Sequence, residues 1–87
     1  MIADPVLEAL VITAEECAEV IQAISKIQRF GMVNVYNSIS CREQLEKELG
    51  DLYAMMNILQ EQDIVSWNNI EQYAADKREK LKVWSNL

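Results

Sequence analysis

The stretch EECAE at residues 15–19 places three carboxylates, Glu15, Glu16 and Glu19, inside a long apolar helical pattern. With Glu15 at zero on a helical wheel, Glu19 falls at about 40° and Glu16 at about 100°, so the acids share one sector. A separate sector, from about 180° to about 280°, holds the apolar residues, which are Val6, Leu7, Leu10, Ala14, Cys17, Ile21 and Ile24. A helix with two such faces needs a neighbour on each side, and dimerisation would supply one.

A second stretch, ELGD at residues 48–51, puts two acids where a core is expected. On a helical wheel Glu48 and Asp51 lie within the arc of the apolar residues, which are Leu45, Leu49, Leu52, Met55, Met56, Ile58 and Leu59. Isolated ionised carboxylates in a core cost several kcal/mol each. These acids must therefore be protonated, paired with cations or bound to a metal.

Composition concentrates the acidity of the chain in these two stretches. The 87 residues carry a net charge of −6, from 14 acidic and 8 basic residues, and without the five carboxylates nine acids remain. A near-neutral remainder offers no long basic stripe, so we expect no nucleic-acid partner. A chain this short buries only about 60–65% of its unfolded surface, which favours a partner chain.

Cysteine usage and the N-terminal residues indicate a cytoplasmic protein. Cys17 and Cys41 follow no metal-ligand spacing, so they are interpreted as free thiols in a reducing compartment. The opening residues, Met1 to Pro5, lack a basic segment, and the chain has no apolar run of about 18 residues. We therefore expect neither a signal peptide nor a membrane partner.

Capping signals bound the first predicted helix. Asp4 is suited to the N-cap and Pro5 to the first helical position. Arg29 in the last turn and Gly31 just after it predict the C-terminus. The following residues, 32–39, show neither helical periodicity nor sustained alternation, and they are predicted to form a loop.

Two further helices are predicted after this loop. Ser40 and Glu43 fit a capping box, and the second helix runs to about Gln62. The third helix is capped by Ser66 or Asn68.

The third helix carries a lysine inside its apolar stripe. Lys77 falls at about 280°, in the middle of an arc from about 240° to about 340° that contains Ile70, Tyr73, Ala74, Leu81 and Trp84. This lysine is therefore predicted to point inward. The chain has no internal repeat and no flexible linker, so residues 1–87 are expected to form one small all-α domain.

The paired acids predict a metal site. Two acids spaced i, i+3 on each of two antiparallel helices bring four carboxylates together, with Glu15 beside them. The chain has no histidine and no paired cysteine ligands, which excludes a Glu-x-x-His di-iron bundle and structural zinc. Carboxylate ligands suit Mg²⁺ or Mn²⁺, and Mg²⁺ is commonly completed by substrate phosphates. We therefore expect metal-assisted phosphoryl chemistry, with phosphate charge neutralised by Lys26, Lys77, Arg29 or Lys80.

Several motifs together match a known family pattern. EExxE at residues 15–19 is followed, after 28 intervening residues, by ExxD at residues 48–51. SKxxRFG at residues 25–31 and LGDL at residues 49–52 accompany them. Over roughly residues 8–84 the chain resembles the MazG-like, all-α nucleotide pyrophosphohydrolases, especially their short bacterial and phage members.

The resemblance implies an activity and a ligand set. MazG-like enzymes split a nucleoside triphosphate, often a deoxynucleotide, between the α- and β-phosphorus, giving the monophosphate and pyrophosphate. Carried over by position, the Mg²⁺ ligands are Glu16, Glu19, Glu48 and Asp51. Glu15 and Glu16 are then the catalytic acids, and Glu15 holds a further metal or orients the attacking water.

The resemblance also implies phosphate contacts and an assembly. Lys77 and Lys80 correspond loosely to a basic motif on the C-terminal helix, although their spacing departs from that of larger family members. Family members form dimers or tetramers, so three helices are expected to make a helical hairpin bundle that oligomerisation completes to four helices. The relatives that hydrolyse phosphoribosyl-ATP carry a histidine after the ExxD turn, and its absence here argues against that role.

Other interpretations of the same residues stay open. The chain is alternatively a relative selective for dUTP or dCTP, or a non-catalytic assembly module that only binds a divalent ion. Lys26 and Arg29 near a helix C-terminus serve the helix dipole in the simplest interpretation, and Lys77 can extend past neighbouring aromatics to water. Among the aromatic residues, Tyr36 in the loop is the one best placed to stack on a base.

Overall fold

A computed structural model describes residues 2–87 of the chain. The elements follow in the order α1 (Pro5–Phe30), β1 (Val35–Tyr36), β2 (Ile39–Ser40), α2 (Cys41–Glu61) and α3 (Trp67–Trp84). The prediction of an all-α protein with three main helices is confirmed. No helix in residues 2–87 has a stretch that is both long and apolar enough to span a bilayer.

Both ends of α1 form as their capping residues predict. The Asp4 carboxylate accepts the backbone N–H of Val6 at 2.9 Å, with Pro5 in the first turn. At the other end the Gly31 N–H donates to the Ile27 carbonyl at 2.8 Å, and the φ of Gly31 is 86°. A residue with a side chain adopts this positive φ only at a cost, so glycine fixes the end of α1.

A small β-hairpin joins α1 to α2, so the prediction of a loop over residues 32–39 was wrong. Val35 pairs with Ser40 and Tyr36 with Ile39 in antiparallel register. The two turn residues, Asn37–Ser38, have positive φ values of 53° and 71°, as in the two-residue turns that suit hairpin twist. Strands of two residues are too short to show alternation in the sequence.

The β-hairpin leads directly into α2. Its last residue, Ser40, caps the helix by accepting the Glu43 N–H at 3.1 Å, while the Glu43 carboxylate accepts the Ser40 N–H at 3.3 Å. This reciprocal pair confirms the predicted capping box. One residue further on, the Cys41 N–H donates to the Asn34 carbonyl at 2.8 Å, which ties the start of α2 to the strand segment.

Helices α1 and α2 pack antiparallel along a seam with a seven-residue repeat. The seam residues of α1 are Ala9, Glu16 and Ala23, and those of α2 are Met55, Glu48 and Cys41. At one end Ala9 packs with Met55 and Leu59 in a buried cluster. At the other end Ala23 and Cys41 are both buried. Because residues seven apart share a helix face, the middle of this seam falls on two glutamates.

Helix α3 departs from the α1–α2 pair. Its N-cap is Ser66, whose hydroxyl accepts the Asn69 N–H at 3.4 Å, and the Trp67 ring meets Tyr53 edge to face with 6.3 Å between centroids. Beyond this first turn, residues 71–80 are all exposed and α3 has no buried residue. The described chain accordingly has extents of 41 × 39 × 14 Å, much thinner in one direction than in the others.

The prediction of an inward Lys77 was therefore wrong within this chain. Lys77 is exposed, and its Nζ lies 5.9 Å from the centre of the Trp84 ring. The wheel placed the lysine correctly within an apolar stripe, but neither α1 nor α2 covers that stripe. Tyr73 and Trp84 are exposed with it, at 71% and 76%.

The predicted apolar stripe of α1 is also uncovered. Helix α2 packs on the face that carries Glu16, and the opposite face leaves large apolar side chains exposed, namely Val6, Leu7, Leu10, Ile21 and Ile24. Helix α1 thus has one neighbour on its acidic side and none among residues 2–87 on its apolar side.

Candidate metal centre

The seam brings acids from two helices to one point. Glu16 on α1 meets Glu48 and Asp51 on α2, and one carboxylate oxygen from each lies within 4.8 Å of the others. Glu48 and Asp51 are three residues apart, so one helical turn presents both toward α1. The predicted convergence of the two acidic motifs is present for these three side chains.

Glu48 is the buried member of the group. It is 4% exposed, and within residues 2–87 it is the only buried charged residue. The Gln44 amide, one turn earlier on α2, donates to Glu48 Oε1 at 2.6 Å. Since an unpaired buried carboxylate is strongly destabilising, this donor stabilises Glu48 and holds its side chain in one orientation.

Lys47 supplies a counter-charge from the solvent side. Its Nζ lies 3.3 Å from Asp51 Oδ2 and 3.5 Å from Glu48 Oε1. The hydrogen bond with Asp51, followed by the charges of Asp51 and Glu48, raises the pKa of Lys47. The lysine side chain is 61% exposed, so solvent weakens this pairing and leaves much of the carboxylate charge unbalanced.

The pKa of Glu16 is raised by its surroundings. Glu16 is half-buried, and its pKa is raised first by desolvation and then by the negative charges of Asp51, Glu48 and Glu19. Lys47 lowers it only as the smallest contribution. Carboxylates that are held close together with little positive charge nearby favour the binding of a cation.

A comparison with known protein families found a match to this chain. The family model of the MazG nucleotide pyrophosphohydrolase domain matches residues 6–82. The chain belongs to the MazG family. The match takes in α1, the β-hairpin and α2, and it reaches nearly to the end of α3. Searches of curated proteins and of solved structures found no match.

The three converged carboxylates fit a divalent metal. With bonds of about 2.1 Å, two oxygens on opposite sides of an octahedral Mg²⁺ lie about 4.2 Å apart. The 4.8 Å that bounds the oxygens of Glu16, Glu48 and Asp51 therefore needs only small side-chain movements to close on one ion. A donor set made entirely of carboxylates suits Mg²⁺ or Mn²⁺.

The other two predicted acids lie outside this group of three. Glu19 is exposed, one turn after Glu16, and its charge contributes to the raised pKa of Glu16. Glu15 is exposed as well. The five predicted acids therefore divide into a converged set of three and two acids beside it.

The predicted phosphate-binding residues are dispersed. Lys26 lies near the β-hairpin, with its Nζ 5.9 Å from the centre of the Tyr36 ring. Arg29 lies over the Phe30 ring at 4.8 Å. Lys77 and Lys80 are exposed on α3. The structure thus brings the acids together but does not gather these cations around them.

Sequence reasoning missed the two α2 residues that support the acids. Gln44 precedes Glu48 by four residues, and Lys47 precedes Asp51 by four. Side chains at this spacing are neighbours on a helix. Applying the i, i+4 rule to each predicted ligand would have identified both supporting residues.

Proposed function

We propose that this chain is an Mg²⁺-dependent nucleoside triphosphate pyrophosphohydrolase. It adds one water across the anhydride between the α- and β-phosphorus of a ribo- or deoxynucleoside triphosphate, releasing the monophosphate and pyrophosphate. The observation that carries this proposal is the convergence of Glu16, Asp51 and the buried Glu48 in a chain of the MazG family.

The carboxylates hold the metal. Glu48 is the anchor because Gln44 and the seam fix its position, and Glu16 and Asp51 approach from the two helices. Glu19 joins them by a side-chain rotation from the next turn of α1. When bound, Mg²⁺ polarises phosphoryl oxygens and lowers the pKa of a bound water.

Glu15 and Glu16 are the catalytic acids of this proposal. Glu16 lies among the converged carboxylates, where it can both hold the metal and accept a hydrogen bond from the attacking water. Glu15, exposed on the preceding position, orients that water or holds a further metal ion.

The cations bind the phosphates in this proposal. Lys26 lies seven residues after Glu19, so both side chains leave α1 on nearly the same side. Arg29 follows within one turn. Lys77 and Lys80 on α3 join them where α3 of one copy approaches the metal centre of the assembled enzyme.

A homodimer or tetramer supplies that assembly. The exposed apolar stripe of α1 and the uncovered aromatic residues of α3 support this assembly, because contiguous exposed apolar surface commonly marks an interaction site. A second copy packed on the α1 stripe would complete a four-helix bundle.

Pyrophosphate release from a panel of ribo- and deoxynucleoside triphosphates tests the activity. We expect turnover with Mg²⁺, turnover with Mn²⁺ and none in EDTA. Glu48→Gln should reduce kcat/KM by about 100-fold or more, because it removes the anchoring ligand. Glu46→Gln makes the same chemical change on an exposed residue of α2 and should leave activity unchanged.

The same panel decides among the alternatives. Turnover confined to dUTP or dCTP would identify a pyrimidine-selective relative. Absence of turnover with every nucleotide would contradict the proposal and favour a non-catalytic assembly module. Turnover that persists in EDTA would contradict the dependence on Mg²⁺.

A further inference from the structure

A second concave site lies at the β-hairpin end of the α1–α2 pair. It has a volume of about 460 Å³ and is lined by Lys26, Phe30, Asn34, Tyr36 and Cys41. None of these residues is acidic, and two of them are aromatic. The volume falls within the range of small-molecule sites, which combine apolar walls with a few polar groups.

This hairpin pocket adjoins the metal centre. A smaller cavity next to it shares Lys26, Tyr36 and Cys41 and is also lined by Gln44. Gln44 in turn donates to Glu48 at 2.6 Å. Along α2, Cys41 precedes Glu48 by seven residues, a distance of roughly 10 Å on the same helix face.

Helix α1 forms the other wall of the connection. On its helical wheel Glu19, Lys26 and Phe30 fall within about 40° of one another. An acidic group, a cation and an aromatic ring therefore follow one another along the helix. This order matches the parts of a nucleotide complex, in which metal-bound phosphates come first and the base lies farthest away.

The side chains of the hairpin pocket suit a planar, polar ring. Tyr36 is 69% exposed and Phe30 is 53% exposed, so both residues offer aromatic surface for stacking. The side chain of Asn34 is exposed and presents one donor and one acceptor group. Its backbone carbonyl is already bound by the Cys41 N–H at 2.8 Å, which fixes the position of this residue.

We propose that the hairpin pocket receives the base of the nucleoside triphosphate. Tyr36 stacks on the base, Asn34 hydrogen-bonds to its polar edge, and Lys26 lies between the base and the metal-bound phosphates. This inference rests on the proposed hydrolase activity and adds the residues that set base preference.

Steady-state kinetics on Tyr36 variants test the stacking contact. Tyr36→Ala should raise KM for the preferred nucleotide by about 10-fold or more with little change in kcat. Tyr36→Phe keeps the ring and should behave like wild type. Val35→Ala is the matched control, because neighbouring residues of a strand point to opposite faces and Val35 does not line the pocket.

Base preference tests the Asn34 contact. Asn34→Ala should reduce the ratio of kcat/KM between the best and the worst base in the nucleotide panel. If Tyr36→Ala and Asn34→Ala both retain wild-type KM and preference in an active enzyme, the base pocket is overturned and the hydrolase proposal stands. Equal losses in Val35→Ala and Tyr36→Ala would also overturn it, because they would indicate a disrupted β-hairpin.

A measurement without catalysis separates this inference from the proposed function. Deoxynucleosides lacking phosphate are titrated into the wild-type protein in EDTA, and backbone amide shifts are followed by NMR. We expect shifts centred on residues 34–41. If the protein hydrolyses no nucleotide, such shifts would still support a base pocket, whereas their absence would overturn it.

Discussion

Glu48 on α2 and Lys77 on α3 are both charged residues within an apolar stripe, but Glu48 is buried and Lys77 is exposed. Glu48 is 4% exposed and receives a hydrogen bond from Gln44. Lys77 is exposed and lies over Trp84. Helical periodicity predicts which face of a helix a residue lies on. Burial also requires a second element that covers that face. In this chain α1 covers α2, and nothing in residues 2–87 covers the stripe of α3.

The largest expected difference between the two regions is in metal-linked stability. With Mg²⁺ at about 100 times its dissociation constant, wild type should gain about 2.7 kcal/mol of unfolding free energy. Glu48→Gln should lose most of this gain, whereas Lys77→Gln should keep it. Urea unfolding followed by circular dichroism, with and without Mg²⁺, measures both. Loss of the gain in Lys77→Gln would contradict this difference, because it would show that binding of the metal itself depends on Lys77.

A difference of intermediate size is expected between the stability costs of substituting two glutamines, one in each region. Gln44 donates to buried Glu48 and Gln72 donates to exposed Asp76, each across four residues. Gln44→Met should cost about 1–3 kcal/mol in EDTA, because it leaves the buried Glu48 carboxylate with only the longer contact to Lys47 at 3.5 Å. Gln72→Met should stay within about 0.5 kcal/mol of wild type. Equal costs measured by urea unfolding would mean that the two environments do not differ as described.

The smallest effect concerns pH. Because the pKa of Glu16 is raised above its ordinary value of 4.5, the folded protein holds this proton more tightly than the unfolded chain does. The stabilisation that results is fully present below pH 4.5. That contribution is lost as pH rises through the raised pKa. In EDTA, Glu16→Gln should therefore be more stable relative to wild type at neutral pH than at pH 4. Glu15→Gln, on the neighbouring position of α1, is the matched control because it removes the same charge outside the converged acids.

Local signals predicted much of this fold. Asp4, Gly31, Ser40 and Glu43 act at helix ends as their types indicate, since capping depends on only a few neighbouring residues. The acidic positions were equally readable. Two i, i+3 pairs among apolar residues indicated a shared site, and Glu16, Glu48 and Asp51 do converge.

The remaining features depend on geometry that a helical wheel does not contain. The Asn37–Ser38 turn joins strands of only two residues. Such strands are too short to show an alternation of apolar and polar residues in the sequence. The direction of α3 depends on the turn before it, where Asp63 has a φ of 58°. Whether Glu15 and Glu19 join the converged acids depends on side-chain orientation, which residue spacing alone does not fix.

The seven-residue repeat of the α1–α2 seam has a consequence for how the chain can change in length. An insertion or deletion of one residue between Glu48 and Met55 would rotate all later positions of α2 by about 100° relative to the earlier ones. Glu48 would then no longer face Glu16 while Met55 faces Ala9. Length variation should therefore be tolerated in the β-hairpin, outside the repeat, and rejected within it.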